Sequence, residues 1–252
     1  MDKNICIITG SSGGIGESLV ETYISDDYFV VGIDKIKNKN KIKKNFREIL
    51  CDLNDFAKNE KYRAKIISSI RSSISKKASK LVLINNAGHQ KTDFIEKLEI
   101  EDWIYSFNVN LFSPYLLIKE LLDELENTKA KIINISSIHS LQTKTGFSAY
   151  ASSKAALESL TRSLALELSP RGISVNAVSP AAIETDMLKE SFENNLSKLD
   201  ELSQFHPSNA LGSTFALANF IKSITDHDSN FLTGTVLQYH GGISAKLSDP
   251  HN

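Results

Sequence analysis

Seven short runs of β-branched and other apolar residues recur along the chain: Asn4 to Thr9, Phe29 to Ile33, Phe46 to Leu50, Leu81 to Asn85, Lys131 to Ile135, Ser174 to Val178 and Thr235 to Tyr239. Several are apolar almost throughout, which is the pattern of strands buried on both faces. The segments between them carry apolar residues at helical spacing. Ile15, Leu19, Val20, Tyr23 and Ile24 form one such face. Ile66, Ile67, Ile70 and Ile74 form a second, and Ala155, Leu157, Leu160, Leu164 and Leu168 a third. Strand and helix alternating in this way predict an α/β fold, a parallel sheet covered on both faces by helices.

No repeat or long linker divides the 252 residues, so they read as a single domain, 1–252. A formal net charge of −1 gives no reason to expect nucleic acid or an anionic membrane as partner. The two cysteines, Cys6 and Cys51, lie in or beside apolar runs. They read as reduced, buried thiols, with neither a disulfide framework nor the spacing of a metal site. The chain enters its first strand without a charged-then-apolar leader, and no apolar stretch reaches membrane-spanning length. A cytoplasmic location, with no membrane and no metal, is the expectation. Six lysines crowd residues 35–44. They read as a solvated stretch, with a positive field near a cofactor's adenosine end as the functional alternative.

Thr9-Gly10-Ser11-Ser12-Gly13-Gly14-Ile15-Gly16 follows the first strand and opens the first helix. Glycine allows a sharp turn and a close approach of phosphate to the main chain, and the free N–H groups of the helix start then face a pyrophosphate. In that position the loop points to dinucleotide binding. Asp34 ends the second strand, eighteen residues beyond Gly16. A carboxylate there accepts from both adenosine ribose hydroxyls and repels a 2′-phosphate, so NAD is favoured over NADP.

Tyr150 and Lys154 are four residues apart on a predicted helix, hence on one face. An ammonium beside a phenol, together with an oxidised nicotinamide, favours the phenolate and lowers a pKa that is ordinarily near ~10. Ser136-Ser137 follow the fifth strand, and Asn85-Asn86-Ala87-Gly88 end the fourth, both at the carboxyl rim where open α/β sheets bind ligands. Asn110 lies in the long helical stretch between those strands.

Taken together, these motifs resemble the short-chain dehydrogenase/reductase family, from Thr9 to Gly242 and in the family's order. The resemblance implies a Rossmann-type three-layer α/β/α sandwich with seven parallel strands. It implies a catalytic tetrad of Asn110, Ser137, Tyr150 and Lys154, with Asn110 positioning a water that links Lys154 to solvent. A cofactor would meet Gly10, Ser12, Gly14, Ile15 and Gly16, the adenine-contacting Asp52 and Leu53, and Asn86, Ala87 and Gly88 along the ribose. On the nicotinamide side it would meet Pro180, Ile183 and Thr185. A homo-oligomer, dimer or tetramer, is also implied, packed through the helices at 103–125 and 150–168.

Two positions depart from the family pattern. Ala181 stands where glycine usually follows Pro180, and His240 stands where an acidic residue commonly precedes Gly241-Gly242. For a small-molecule substrate the candidates are His89, His139 and Gln142, with Gln90 and a polar, helix-rich cover over 184–207. Histidines and glutamines at one rim point to a sugar derivative or hydroxy acid. The activity expected is interconversion of a secondary alcohol and a ketone. An NADP-dependent ketoreductase resembling the 3-oxoacyl-acyl-carrier-protein reductases, and a non-catalytic dinucleotide sensor on the same fold, are the alternatives.

Overall fold

The computed structural model describes residues 4–38, 44–75, 77–192 and 195–246. Each predicted run forms a strand: β1 (Ile5–Thr9), β2 (Phe29–Asp34), β3 (Phe46–Leu50), β4 (Leu81–Asn85), β5 (Lys131–Ile135), β6 (Ser174–Pro180) and β7 (Val236–Tyr239). They pair in the order β3-β2-β1-β4-β5-β6-β7, every pair parallel. The order reverses between β1 and β4, and that switch opens a crevice at the carboxyl ends of both strands.

The period of two along β1 shows why both faces must be covered. Ile5 and Ile7 enter one hydrophobic cluster, while Cys6 and Ile8 enter the other. On the first face lie α2 (Leu53–Lys58), α3 (Glu60–Arg71), α5 (Ser113–Glu120) and α7 (Ser148–Leu168), through Phe56, Ile66, Ile70, Leu117 and Leu164. The second face is covered by α1 (Gly14–Ser25) and α10 (Thr214–Asp226), through Leu19, Val20, Tyr23, Leu217 and Ile221. This is a Rossmann-type α/β/α sandwich with a seven-stranded parallel sheet. Both cysteines are free and buried.

The helical reading of 103–125 needs correction. The stretch is α4 (Ile100–Phe107), a π-helical turn at Asn108–Phe112, α5, and then α6 (Leu122–Asn127). The wide turn turns Asn108 and Asn110 inward. Asn108 Nδ2 donates to Asn54 Oδ1 at 2.9 Å, and Asn110 is fully buried. Pro114 lies in the first turn of α5, where a missing N–H costs little. Ile74 falls beyond the end of α3 but still packs against the core.

After β6 the chain forms α8 (Asp186–Ser191) and α9 (Leu196–Phe205), the helices of the expected cover. Of the lysine-rich stretch, Lys35, Lys37 and Lys44 are exposed, while Lys39, Lys41 and Lys43 lie outside the described residues. Among the described residues no helix is long and apolar enough to cross a membrane.

Candidate active site

The glycine loop leaves β1 at the switch in strand order. Gly10 and Gly14 have φ of +65° and +53°, a region glycine enters at no steric cost. A Cβ on Gly16 would sit 1.8 Å from the carbonyl oxygen of Gly10, so α1 can start this close to the strand only without a side chain there. Ile15 is half-buried behind it. Gly13 caps α1 without a side-chain hydrogen bond, and nothing stands within 4 Å of where its Cβ would be. The first N–H groups of α1 therefore retain their capacity for an anion.

Around this loop the sequence candidates divide into two sets. Asp34 is drawn to the loop itself: Oδ2 accepts from the Ser12 N–H at 2.9 Å and Oδ1 from the Ile36 N–H at 3.2 Å. The Ser12 hydroxyl donates to Ile36 O at 3.0 Å, which completes the turn. A carboxylate has about four acceptor sites, so two remain for ribose hydroxyls. Asp52 caps α2 by accepting from Asn54 N at 2.8 Å, and the Tyr105 hydroxyl donates to its other oxygen at 3.4 Å. Leu53 beside it is buried.

The Asn86 side chain is engaged with the glycine loop. Its Nδ2 donates to Thr9 O and Gly10 O, both at 3.0 Å, while the Thr9 hydroxyl accepts from Asn86 N and Ala87 N at 3.0 Å. The Asn86 side chain is thus used to staple β4 to the glycine loop, and the neighbouring Gly88 is exposed at the rim.

Across the crevice, Pro180 ends β6 and Ile183 forms a bridge with Gly212. Thr185 caps α8, its hydroxyl accepting from Leu188 N at 3.2 Å. Its methyl lies 3.0 Å from the Cβ position of Gly14, so the glycine loop and this segment face each other directly. The crevice therefore fits a dinucleotide: an uncapped helix start, a ribose-height carboxylate and a facing loop.

Asn110, Ser137, Tyr150 and Lys154 converge from three elements. Ser137 begins the 3₁₀ turn Ile138–Ser140, and its hydroxyl oxygen accepts from His139 N at 3.2 Å. That hydroxyl favours the Tyr150 phenolate, but burial dominates and raises the Tyr150 pKa above its ordinary value. The lowering expected from Lys154 together with an oxidised nicotinamide concerns the cofactor-bound site. Lys154 Nζ lies 5.7 Å from the Tyr150 ring centre and donates to Ile135 O at 2.7 Å. Burial pulls the lysine down to about 8, against a smaller upward pull from Glu158. The Asn110 side chain is itself engaged. Its Nδ2 donates to His89 O and to Ser153 Oγ, both at 2.9 Å, and its Oδ1 accepts from His89 N at 2.8 Å. All its side-chain polar atoms have protein partners.

The substrate candidates separate. His139 stacks on Phe147 at 4.3 Å and presents its ring edge-on to Tyr150 at 5.9 Å. Its Nδ1 is bonded to Thr143 Oγ1 at 3.1 Å, and burial lowers its pKa to about 4. His89 stands instead against Tyr105, 4.4 Å between ring centres, on the side of Asp52. Its backbone is clamped by Asn110, and this turns the ring away from the expected pairing with His139. Gln90 and Gln142 are exposed.

Ala181 lines a cavity of about 300 Å³ with Tyr239, His206 and His240. His240 Nδ1 accepts from Gly242 N at 3.1 Å and its Nε2 is 2.6 Å from Ser244 Oγ, so it holds the glycine turn. Sequence reasoning missed Ser153 and Glu158. The signal for both was available: each lies on the Tyr150–Lys154 face or one turn beyond it.

The profile described as short chain dehydrogenase matches residues 4–196. The 3-oxoacyl-[acyl-carrier-protein] reductase FabG of Buchnera aphidicola subsp. Baizongia pistaciae is 29% identical over 251 residues, 96% of this chain and 97% of that protein. Among solved structures, ElxO with NADP bound has a TM-score of 0.84 at 29% identity, covering 98% of this chain and 100% of ElxO. Aldohexose dehydrogenase of Thermoplasma acidophilum, in ligand-free form, has a TM-score of 0.87 at 27% identity, covering 99% and 98%. With a sheet order, a glycine loop and a Ser-Tyr-Lys rim of this kind, the chain belongs to the short-chain dehydrogenase family and is an NAD(P)-dependent oxidoreductase acting on CH–OH or keto groups.

Proposed function

We propose that this chain, as one catalytic domain, interconverts a secondary alcohol and a ketone on a small polar substrate, with NAD preferred. The observation that carries the reading is the convergence of Ser137, Tyr150 and Lys154 at the carboxyl end of β5: the Ser137 hydroxyl favours the phenolate of the half-buried Tyr150, and Lys154, one helical turn away, has its Nζ 5.7 Å from the Tyr150 ring centre.

Gly10, Ser12, Gly14, Ile15 and Gly16 would hold the pyrophosphate and Asp34 the adenosine ribose. Asp52, Leu53 and the backbone of Asn86, Ala87 and Gly88 would line the adenosine side. Pro180, Ile183 and Thr185 would take the carboxamide, and Tyr150 and Lys154 the second ribose. When bound, NAD(P) supplies the nicotinamide carbon that takes or gives the hydride. In the oxidative direction Tyr150, as phenolate, takes the alcohol proton while the hydride leaves the same carbon, and in reduction it returns that proton to the carbonyl oxygen. Ser137 donates to the substrate oxygen as its charge changes. A charged Lys154, with the oxidised nicotinamide of a bound cofactor, would favour the phenolate. Asn110 fixes the main chain beneath this group. His139, neutral at physiological pH, offers its ring edge to a polar substrate beside Tyr150.

NAD preference rests on Asp34, whose carboxylate sits at the loop where a 2′-phosphate would be repelled. The relative named as a 3-oxoacyl-[acyl-carrier-protein] reductase and the NADP-bound ElxO favour a second reading, an NADP-dependent ketoreductase. An apolar groove of about 500 Å³ between α5 and α7, lined by Leu111, Phe112, Tyr115 and Leu160, supports a homo-oligomer packed through these helices.

The test follows nicotinamide absorbance with sugars, polyols, hydroxy acids and hydroxyacyl thioesters, each with NAD and NADP, for wild type, Tyr150→Phe and Asp34→Ala. Turnover of a polar alcohol with NAD, reduced about 10²–10⁴-fold in Tyr150→Phe, supports the proposal. Preference for NADPH with an acyl thioester selects the ketoreductase. Cofactor binding without turnover on any substrate turns the reading towards a dinucleotide sensor.

A further inference from the structure

Glu158 lies on α7 four residues beyond Lys154, facing the end of β5. Its Oε1 is the common acceptor of two serine hydroxyls that flank Ser137 in the chain, Ser136 Oγ at 2.7 Å and Ser140 Oγ at 2.5 Å. Each hydroxyl has one proton to give. Ser140 Oγ also lies 2.7 Å from Ser137 O, a longer alternative for its one proton. The Ser136 hydroxyl lies 3.4 Å from Lys154 O, a longer alternative. Glu158 Oε1 is the nearer acceptor of both hydroxyls, and bonds to a carboxylate are stronger than those to a neutral carbonyl. The carboxylate ties both ends of the turn bearing Ser137 to the helix bearing Tyr150 and Lys154.

We propose that Glu158 is a positioning residue: by accepting from Ser136 and Ser140 it fixes the turn from which the Ser137 hydroxyl reaches Tyr150. The proposal rests on the reading of Ser137 and Tyr150 as catalytic. It asks for an oxygen acceptor at this position, so glutamine preserves the function and alanine does not. The groups facing Tyr150 are Ser137 and Lys154, together with the His139 ring, which is neutral at physiological pH.

The test compares Glu158→Ala, Glu158→Gln and Tyr150→Phe in the full chain. The first measurement needs no substrate. The tyrosinate absorbance of each protein is recorded as pH rises, and the Tyr150→Phe spectrum is subtracted to isolate Tyr150. Glu158→Ala should move the Tyr150 transition upward, because the Ser137 bond that favours the phenolate is loosened. Glu158→Gln should leave it near wild type. The second uses any alcohol found to turn over: kcat falls about 10–100-fold in Glu158→Ala, the range a misplaced group costs, while the cofactor KM stays within about twofold. Glutamine restores most of kcat.

An unmoved Tyr150 transition in a folded Glu158→Ala overturns the proposal, as does alanine matching glutamine in kcat. If Tyr150→Phe keeps full turnover, the reading of the site fails instead, and the two failures are distinguishable.

Discussion

The side-chain amide of Asn110 pairs with both backbone groups of His89, donating to its carbonyl at 2.9 Å and accepting from its N–H at 2.8 Å. The amide imitates a strand neighbour for a residue just past the end of β4. It also holds Ser153, one residue before Lys154 on α7. The π turn is what aims it there. Asn110→Ala strands these partners in a fully buried place, and we expect a stability loss of about 2–4 kcal/mol in urea unfolding. A loss below about 1 kcal/mol would mean that water replaces the amide and that the pairing is incidental.

Gly16 and Gly13 make opposite predictions from the same loop. The Cβ of Gly16→Ala would meet the Gly10 carbonyl at 1.8 Å, and backbone cannot swing aside as a side chain does. We expect a loss of at least about 2 kcal/mol from this overpacking, with NADH binding lost in a fluorescence titration. Gly13→Ala, with open space around its Cβ and an extended φ of −167°, should unfold within about 0.5 kcal/mol of wild type. Equal effects at both positions would contradict this geometry.

Lys154 carries a pH signature. Its folded pKa, about 8, lies below the ordinary 10.5, so the unfolded chain binds the proton more tightly. Between those values stability rises with pH, and the cost of burying the charge is present in full below about 8. The difference corresponds to about 3 kcal/mol, reduced by the lost bond to Ile135 O when lysine is removed. Lys154→Met should therefore gain stability relative to wild type at pH 7, with the gain fading as pH approaches 10. It should also lose turnover. A stability difference that is flat from pH 7 to 10 would show that the lysine is not buried as a cation.

His139 works in a lower window. Its pKa, lowered by burial to about 4 from 6.5, makes the folded state lose stability as pH falls through that range, because the unfolded chain takes up the proton first. His139→Phe should abolish this part of the acid sensitivity in thermal melts between pH 7 and 4. If the site uses the neutral imidazole, kcat/KM for a polar substrate should also show no inflexion near 6.5 attributable to this residue. A wild-type and variant pair with identical melting profiles across that range would remove His139 from its stacked, half-buried position.

The strands were legible in sequence because several are apolar on both faces, a demand that loops do not meet; the ends of β1, β2 and β7 differ from the runs by one residue and that of β6 by two. Tyr150, Lys154 and Ser137 were legible because helical spacing and the strand-end rule place them without side-chain detail. The break in the 103–125 helix was not. Asn108 and Asn110 are ordinary helix-surface residues by composition, and only the buried partners Asn54 and His89 show why the helix widens. The direction of the Tyr150 shift depends on competition between burial and a cation, and burial cannot be weighed before packing is known. His89 and His139 looked alike in sequence, yet backbone clamping by Asn110 sends one ring to Tyr105 while the other stays with Tyr150.

The strand order has a consequence for the newborn chain. β1 is made first yet ends in the interior of the sheet, where Ile5 pairs with Phe29 on one side and Leu81 on the other. As synthesis proceeds from the N-terminus, one edge of an entirely apolar strand stays unpaired until β4 has emerged. That open edge is an aggregation hazard during synthesis. Growth conditions that slow elongation between residues 34 and 81 should lengthen the exposure and lower soluble yield, whatever the finished enzyme's stability.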